Sequence, residues 1–273
     1  MNTNRGSYLL GAVLGSAVVL ASASAVMAAD IYEGGGLKGG YDVAPVQTDR
    51  GFYLKGYIGQ ANPSVGSIFT PDYDHNSFTV FSHDIKTSPL FGLGVGYKHS
   101  HWLRFDLTGE YRGDAIFVGA DRYPGGVGFT SGTNEYTADI KSWLGLANAY
   151  WDIINWCGFT PYIGGGVGFA TLTLQGLRDV NGPQNGVAFG ADNTNTNFAW
   201  ALYAGLAYDV SPSFVVDLSY RYSDLGEATS GAVVNYLGGF AYDHFHARDI
   251  TSNDVMLGVR YKLQRDEPVY AIK

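Results

Sequence analysis

The sequence predicts an all-β fold, an eight-stranded antiparallel up-and-down transmembrane β-barrel, and three observations lead there. The first is strict period-two alternation, clearest in "LRFDLTGEYR". Leu103, Phe105, Leu107 and Tyr111 fall on one face, and Arg104, Asp106, Thr108, Glu110 and Arg112 on the other. The second is that eight segments of this character follow one another, each near the ~9–11 residues a tilted strand needs to cross a bilayer. The third is the connections, which alternate short and long along the whole chain. Meandering strands then place all short links at one end and all long links at the other, as short periplasmic turns and long external loops require.

Taken in order, the segments are Phe52–Ala61, Pro89–Lys98, Trp102–Arg112, Ile140–Asp152, Thr160–Thr171, Asn197–Asp209, Phe214–Tyr222 and Asn253–Leu263. The short links are "HSH", the turn around "IINWCGF", and "VSPS". The long ones are Asn62–Ser88, Gly113–Asp139, Leu172–Thr196 and Ser223–Ser252, which are expected to be external loops. A soluble sandwich rarely carries four long structureless connections, so the apolar faces are assigned to lipid and the polar faces to the lumen. In "FGLGVGYK", Phe91, Leu93, Val95 and Tyr97 face out; in "DVMLGVRYKL", Val255, Leu257, Val259, Tyr261 and Leu263 do. The fourth segment, "WLGLANAYWD", is apolar on both faces, with Asn148 and Asp152 expected inward. Aromatics near strand ends (Trp102, Tyr111, Tyr150, Trp151, Tyr208, Tyr222, Tyr261) are assigned to interfacial girdles.

Composition and the N-terminus agree. Charged residues are 15% of the chain, against ~25% in soluble domains. The net charge of −8 excludes nucleic acid as a partner, since phosphate binding needs a basic face. Arg5 precedes the apolar "YLLGAVLGSAVVLA", and small residues follow to "AVMAAD", the layout of a secretory signal. Cleavage after Ala28 leaves Val26 at −3; cleavage after Ala25 is the alternative. The run falls short of the ~20 residues of a spanning helix. The expected organisation is a signal peptide (1–28), a flexible Gly-rich periplasmic segment (29–50), the barrel (51–263) and a periplasmic C-terminal extension (264–273). The single cysteine, Cys157, excludes an internal disulfide framework. It is expected to be a buried or interfacial small residue of a periplasmic turn, with an intermolecular disulfide as the alternative.

The inward charges are the candidate site. Arg104, Asp106, Glu110, Arg112, Asp217, Arg221, Asp254 and Arg260 share a lumen with room for side chains and little else. Buried charges must pair, so a mixed-sign lumen is expected to be an ion-pair network that shuts the barrel, with a narrow gated ion path as the alternative. The inward glycines of "FGLGVGYK" and "YIGGGVGFA" are expected to relieve crowding. No helix follows them, so they make no phosphate cradle. His244 and His246, spaced i, i+2 like His99 and His101, place two imidazoles on one strand face, a pattern that holds metal or haem iron; His75 and His83 could join them. Catalysis would have to use His244 with Asp243 and Asp249, which lack an evident nucleophile, so neither enzyme activity nor a cofactor is expected.

"GVRYKL" as closing strand, "LRFDLTGEYR", "TPYIGGGVGFA" and the mature start Ala29-Asp30 together resemble the alphaproteobacterial porin-like outer-membrane barrel family, which shares the OmpA-like eight-stranded fold. The similarity covers roughly Gly51 to Leu263. It implies residence in the outer membrane of a Gram-negative cell, contact with outer-membrane lipids and lipopolysaccharide, and handling by the barrel assembly machinery. Such barrels often end on a final aromatic, whereas here "QRDEPVYAIK" follows Leu263. Relatives with an "AD" start imply attachment to peptidoglycan through the amine of Ala29, and some relatives imply haemin binding. The function expected is structural support of the envelope, with a small-solute porin or a haemin-binding or adhesin surface barrel as alternatives.

Overall fold

The computed structural model describes residues 50–70, 79–125 and 130–263, all within one compact unit, Ala44–Lys273. Eight long strands carry the fold: β1 (Gly51–Ala61), β2 (Ser88–Lys98), β3 (Leu103–Tyr123), β4 (Gly132–Asp152), β5 (Phe159–Asn181), β6 (Asn193–Asp209), β7 (Phe214–Thr229) and β8 (His246–Lys262). Each pairs antiparallel with the next, and β8 returns to β1, with Tyr53 opposite Lys262 and Gln60 opposite Val255. The sheet is therefore a closed eight-stranded barrel, which leaves no edge in the bilayer to be hydrogen-bonded by lipid. Three tight turns gather at one end. There His99 N–H donates to the Leu103 carbonyl at 2.9 Å and Val210 N–H to the Phe214 carbonyl at 3.0 Å. Cys157 lies in the turn between β4 and β5 and is exposed, which removes the buried half of the expectation and leaves the interfacial one. It holds φ 51° just before Gly158 at φ 86°, and a residue at a turn apex has nothing to pack beneath.

The faces are assigned as the alternation requires. Leu107, Leu257, Leu93, Ile58 and Val167 are exposed on the outer wall, while Arg104, Glu110, Arg221 and Asp254 are buried within. Two aromatic girdles bound the apolar band. Near the tight turns Phe52 packs on Tyr97 (4.9 Å), Phe159 on Tyr208 (4.6 Å) and Phe214 on Tyr261 (5.0 Å). At the far end Phe91, Tyr111 and Trp143 form a chain at 5.4 and 4.9 Å, and Trp200 meets Tyr222 at 5.6 Å. Tyr150 departs from its expected place. It is fully buried in the lumen, in step with Asn148 and Asp152, and Trp151 takes the lipid side.

The strands do not stop at the outer girdle. β3 and β4 stay paired from Ala115 opposite Ile140 to Tyr123 opposite Gly132, so most of the expected loop Gly113–Asp139 is strand. At ~3.4 Å per residue and ~40° of tilt, the run from Tyr111 to Tyr123 rises on the order of 30 Å beyond the girdle. Above the girdle the alternation changes sense. On β4, Thr137 and Asp139 face out while Tyr136, Ala138 and Ile140 are buried; on β5, Thr171 and Thr173 face out while Leu172, Leu174 and Leu177 are buried. The wall there meets water rather than lipid, so the apolar side turns inward and makes a conventional core. Short strands in the remaining loops complete this extracellular storey. Ser67–Phe69 pairs with β8, and Thr79–Ile85 with β3. Gly186–Gly190 pairs with β5, and carries in turn Val233–Asn235 and Gly239–Tyr242.

Candidate functional site: the filled lumen and the extracellular storey

Within the membrane band every one of the eight expected lumen charges is buried. Four of them close a ring near the outer girdle. Arg112 Nε donates to Glu110 Oε1 at 2.8 Å and its Nη2 to Asp254 Oδ2 at 2.8 Å. Arg221 Nη2 reaches the same two carboxylates, each at 2.7 Å. Two cations thus alternate with two anions, and each carboxylate is shared by both guanidinium groups. Nearer the tight turns, Arg260 grips Asp217 with two bonds, 2.7 and 3.1 Å. Asp106 accepts from Asn148 Nδ2 at 2.7 Å and Tyr53 Oη at 3.1 Å, with Lys55 Nζ at 3.4 Å. Arg104 Nε donates to Asp152 at 2.9 Å, and its guanidinium lies against the Tyr150 and Tyr162 rings at 4.1 and 4.3 Å. Planar arginine suits such stacking, because it is weakly hydrated and loses little on leaving water.

The remaining space is taken by tyrosines set opposite glycines. Tyr53 pairs with Gly96 across β1 and β2, and Tyr150 with Gly164 across β4 and β5. A Cβ on Gly96 would sit 2.2 Å from the Tyr53 ring, so the missing side chain is what lets the phenol lie across the lumen. Among the described residues, voids along the lumen include one of about 10 Å³, beside Lys55, Thr108 and Arg221, and one of about 20 Å³, beside Ile85, Leu172 and Ile250. A single water needs ≳10–15 Å³ on this measure, so neither void passes a solute. The open cup of about 620 Å³ between Lys98, Asp152, Asp209 and Lys262 ends where this packing begins.

Above the membrane the lumen is closed a second time. Phe245, fully buried, inserts from the last loop between Phe117 (5.6 Å) and Tyr136 (5.0 Å). Ser230 holds its backbone, accepting from Phe245 N–H at 2.9 Å and donating its own N–H to the Phe245 carbonyl at 2.9 Å. Beside it Tyr242 Oη donates to Asp179 Oδ2 at 3.0 Å, and Tyr136 Oη to Asp121 Oδ2 at 2.8 Å. Burial raises both carboxyls, and Asp179 is pushed up to about 6. The same loop presents the hairpin Val233–Tyr242, whose turn places Gly238 at φ 86°. Phe189, Val234 and Phe240 line up across three short strands, and Tyr236 and Leu237 (95% exposed) form the apex.

The His244–His246 pair falls at the mouth. His244 and His246 lie 6.3 Å apart by ring centroids, on either side of the buried Phe245. His244 Nδ1 pairs with Asp243 at 3.0 Å in the open, and His246 stands edge-on to Phe69. Among the described residues no group of three or more His, Cys, Asp or Glu is arranged to hold a metal. His83 is exposed on its short strand; His75 and Ala29 lie outside the described residues.

A family model for the outer membrane protein beta-barrel domain matches residues 14–262. The chain belongs to that family. As a barrel of the outer membrane, it is 27% identical to the outer membrane protein PagN of Salmonella typhimurium, over 80% of this chain and 92% of that one. It is 28% identical to an uncharacterized protein of Brucella suis, over 82% and 89%. It is 26% identical to a Rickettsia conorii protein named as a candidate adhesin, over 50% and 53%.

Several residues of this outer-membrane barrel escaped the sequence pattern. The inward tyrosines were hidden because Tyr suits both a girdle and a lumen, whereas Asp152 and Lys55, both read as inward from the alternation, join the ion pairs. The signal that finds them is register, since Tyr53, Tyr57, Tyr150, Tyr162 and Tyr203 each face a glycine across the sheet. Phe117, Tyr136 and Phe245 were passed over as loop, although "NEYTADIK" keeps period two.

Proposed function

We propose that the protein is a non-enzymatic, closed scaffold of the outer membrane rather than a solute channel. The filled lumen carries this reading, because ten paired charges and a set of tyrosines block the bilayer band and a second apolar core blocks the mouth. Opening a path would break buried ion pairs, whose uncompensated members each cost several kcal/mol. Planar-bilayer recording tests it, and no steady current is expected. Attachment of the envelope to peptidoglycan through Ala29 belongs to the same reading and rests on the sequence, where a small first residue on a Gly-rich arm offers an unhindered amine.

A second role, surface attachment, is favoured by the hairpin apex. β5 rises from the girdle, Gly186–Gly190 descends beside it, and Val233–Asn235 rises again, so Tyr236 and Leu237 point away from the membrane. Ala228 to Tyr242 carries no charge in a chain of net charge −8. Exposed aromatic and aliphatic side chains of this kind mark contact sites. The candidate-adhesin name of the Rickettsia relative supports the same role. If it holds, Leu237→Asp with Phe240→Asp lowers adhesion of expressing cells to epithelial monolayers at least ~10-fold, the loss of two hot-spot contacts. Unchanged adhesion with normal surface display removes the hairpin from that role.

A further inference from the structure

We propose that the last external loop is an acid-tightened cap, in which the buried Asp121–Asp179 pair beneath Tyr242 and Phe245 sets how firmly the attachment hairpin is docked. This deepens the attachment reading above and concerns the regulation of that hairpin.

The geometry comes first. The loop leaves β7 at Thr229, forms the hairpin, and is pinned at its return by Phe245 in the mouth and by the Tyr242–Asp179 hydrogen bond. Asp179 Oδ1 is buried with no hydrogen-bond partner. A carboxylate with a bare buried oxygen is costly, and a carboxylic acid in its place is much less so. The groups facing Asp179 are Asp121 from β3, Tyr136 from β4 and Tyr242 from the hairpin. The neighbouring strand Gly186–Gly190 contributes only Ala188 opposite it. Asp121 adds repulsion to the burial of the Asp179 carboxyl.

The sign follows from linkage. Burial raises the Asp179 carboxyl from 3.8 to about 6 in the docked loop. The docked state therefore binds its proton more tightly than an undocked, solvated state would. Docking gains as pH falls through about 6 and loses that gain as pH rises again. Asp121, also raised by burial, acts in the same direction. His246, at the start of β8, acts in the opposite one, since burial lowers its imidazole and its charging opposes the packed state.

Hydrogen exchange of the full chain in nanodiscs tests the cap, followed on peptides spanning 230–245 and corrected for intrinsic rates. The comparison is made in a His246→Gln background to remove the opposing titration. Protection of the loop is expected to rise about 10-fold between about pH 8 and pH 5, and Asp179→Asn should lose most of that rise, keeping only the smaller share that Asp121 contributes. Phe245→Ala should leave the loop unprotected at both, with the β1–β8 amides in the membrane band unchanged. Equal protection of the parent at the two pH values, or an Asp179→Asn protein that keeps the parent's response, overturns the proposal. Failure of the adhesion test alone would leave this exchange result standing, so the two readings fail separately.

Discussion

Replacing Arg221 by leucine is expected to cost about 3–5 kcal/mol of folding stability, the cost of stranding buried charges. Arg221 supplies bonds of 2.7 Å to Glu110 and 2.7 and 2.9 Å to Asp254. Without it the two carboxylates share Arg112 alone, and the ring holds two negative charges against one positive in a space that admits no more than a water. Urea-induced unfolding in phospholipid vesicles measures the loss. The informative control replaces the whole ring (Glu110, Arg112, Arg221 and Asp254) by apolar residues of similar volume. That variant is expected to be close to neutral or even stabilised, because desolvation of both signs is relieved together. A single substitution within about 1 kcal/mol of the parent would mean that water reaches the ring, contrary to a sealed lumen.

The second large effect is on the outer wall. Leu257 lies on β8 opposite Ile58 of β1 and Leu218 of β7, all three exposed on the apolar band between the girdles. Leu257→Arg places a guanidinium in hydrocarbon near the midplane and is expected to cost about 2–4 kcal/mol. The same equilibrium unfolding measurement reads it. The adjacent Met256 points into the lumen, so a polar residue there meets Ser219 and Thr108 rather than lipid, and Met256→Gln should be far milder. A Leu257→Arg protein that folds into bilayers as well as the parent would invert the assignment of the faces.

Much of this was legible in the chain. The eight strands, their order, the lipid and lumen faces and the eight lumen charges all follow from period-two alternation, because lipid on one side and a narrow lumen on the other force every residue to choose. Pairing within the lumen was not legible, since register and bulges decide which charges meet. Arg112 and Ala115 both pair toward the core although three residues apart, because a bulge at Gly113–Asp114 resets the alternation. The extracellular storey was read as loop for a related reason. On β4 the outward series passes from Trp143 to Lys141, Asp139 and Thr137, and the inward series from Asn148 to Ile140 and Tyr136. A pattern sought with one fixed sense ends at the girdle, where the solvent changes and the apolar side moves from lipid to core. Tyr150 was misplaced because residue type alone does not decide a tyrosine's face.

The central claim is that the lumen is sealed, and single-channel recording tests it most directly. Refolded full-length protein, inserted in planar bilayers with insertion verified independently by protease protection of the membrane strands, is expected to give a flat baseline across both polarities. On the proposed reading, the Asp217–Arg260 and Arg112–Glu110–Arg221–Asp254 pairs fill the path that ions would follow. Steady, stepwise open-channel currents that scale with the number of inserted molecules would contradict the account.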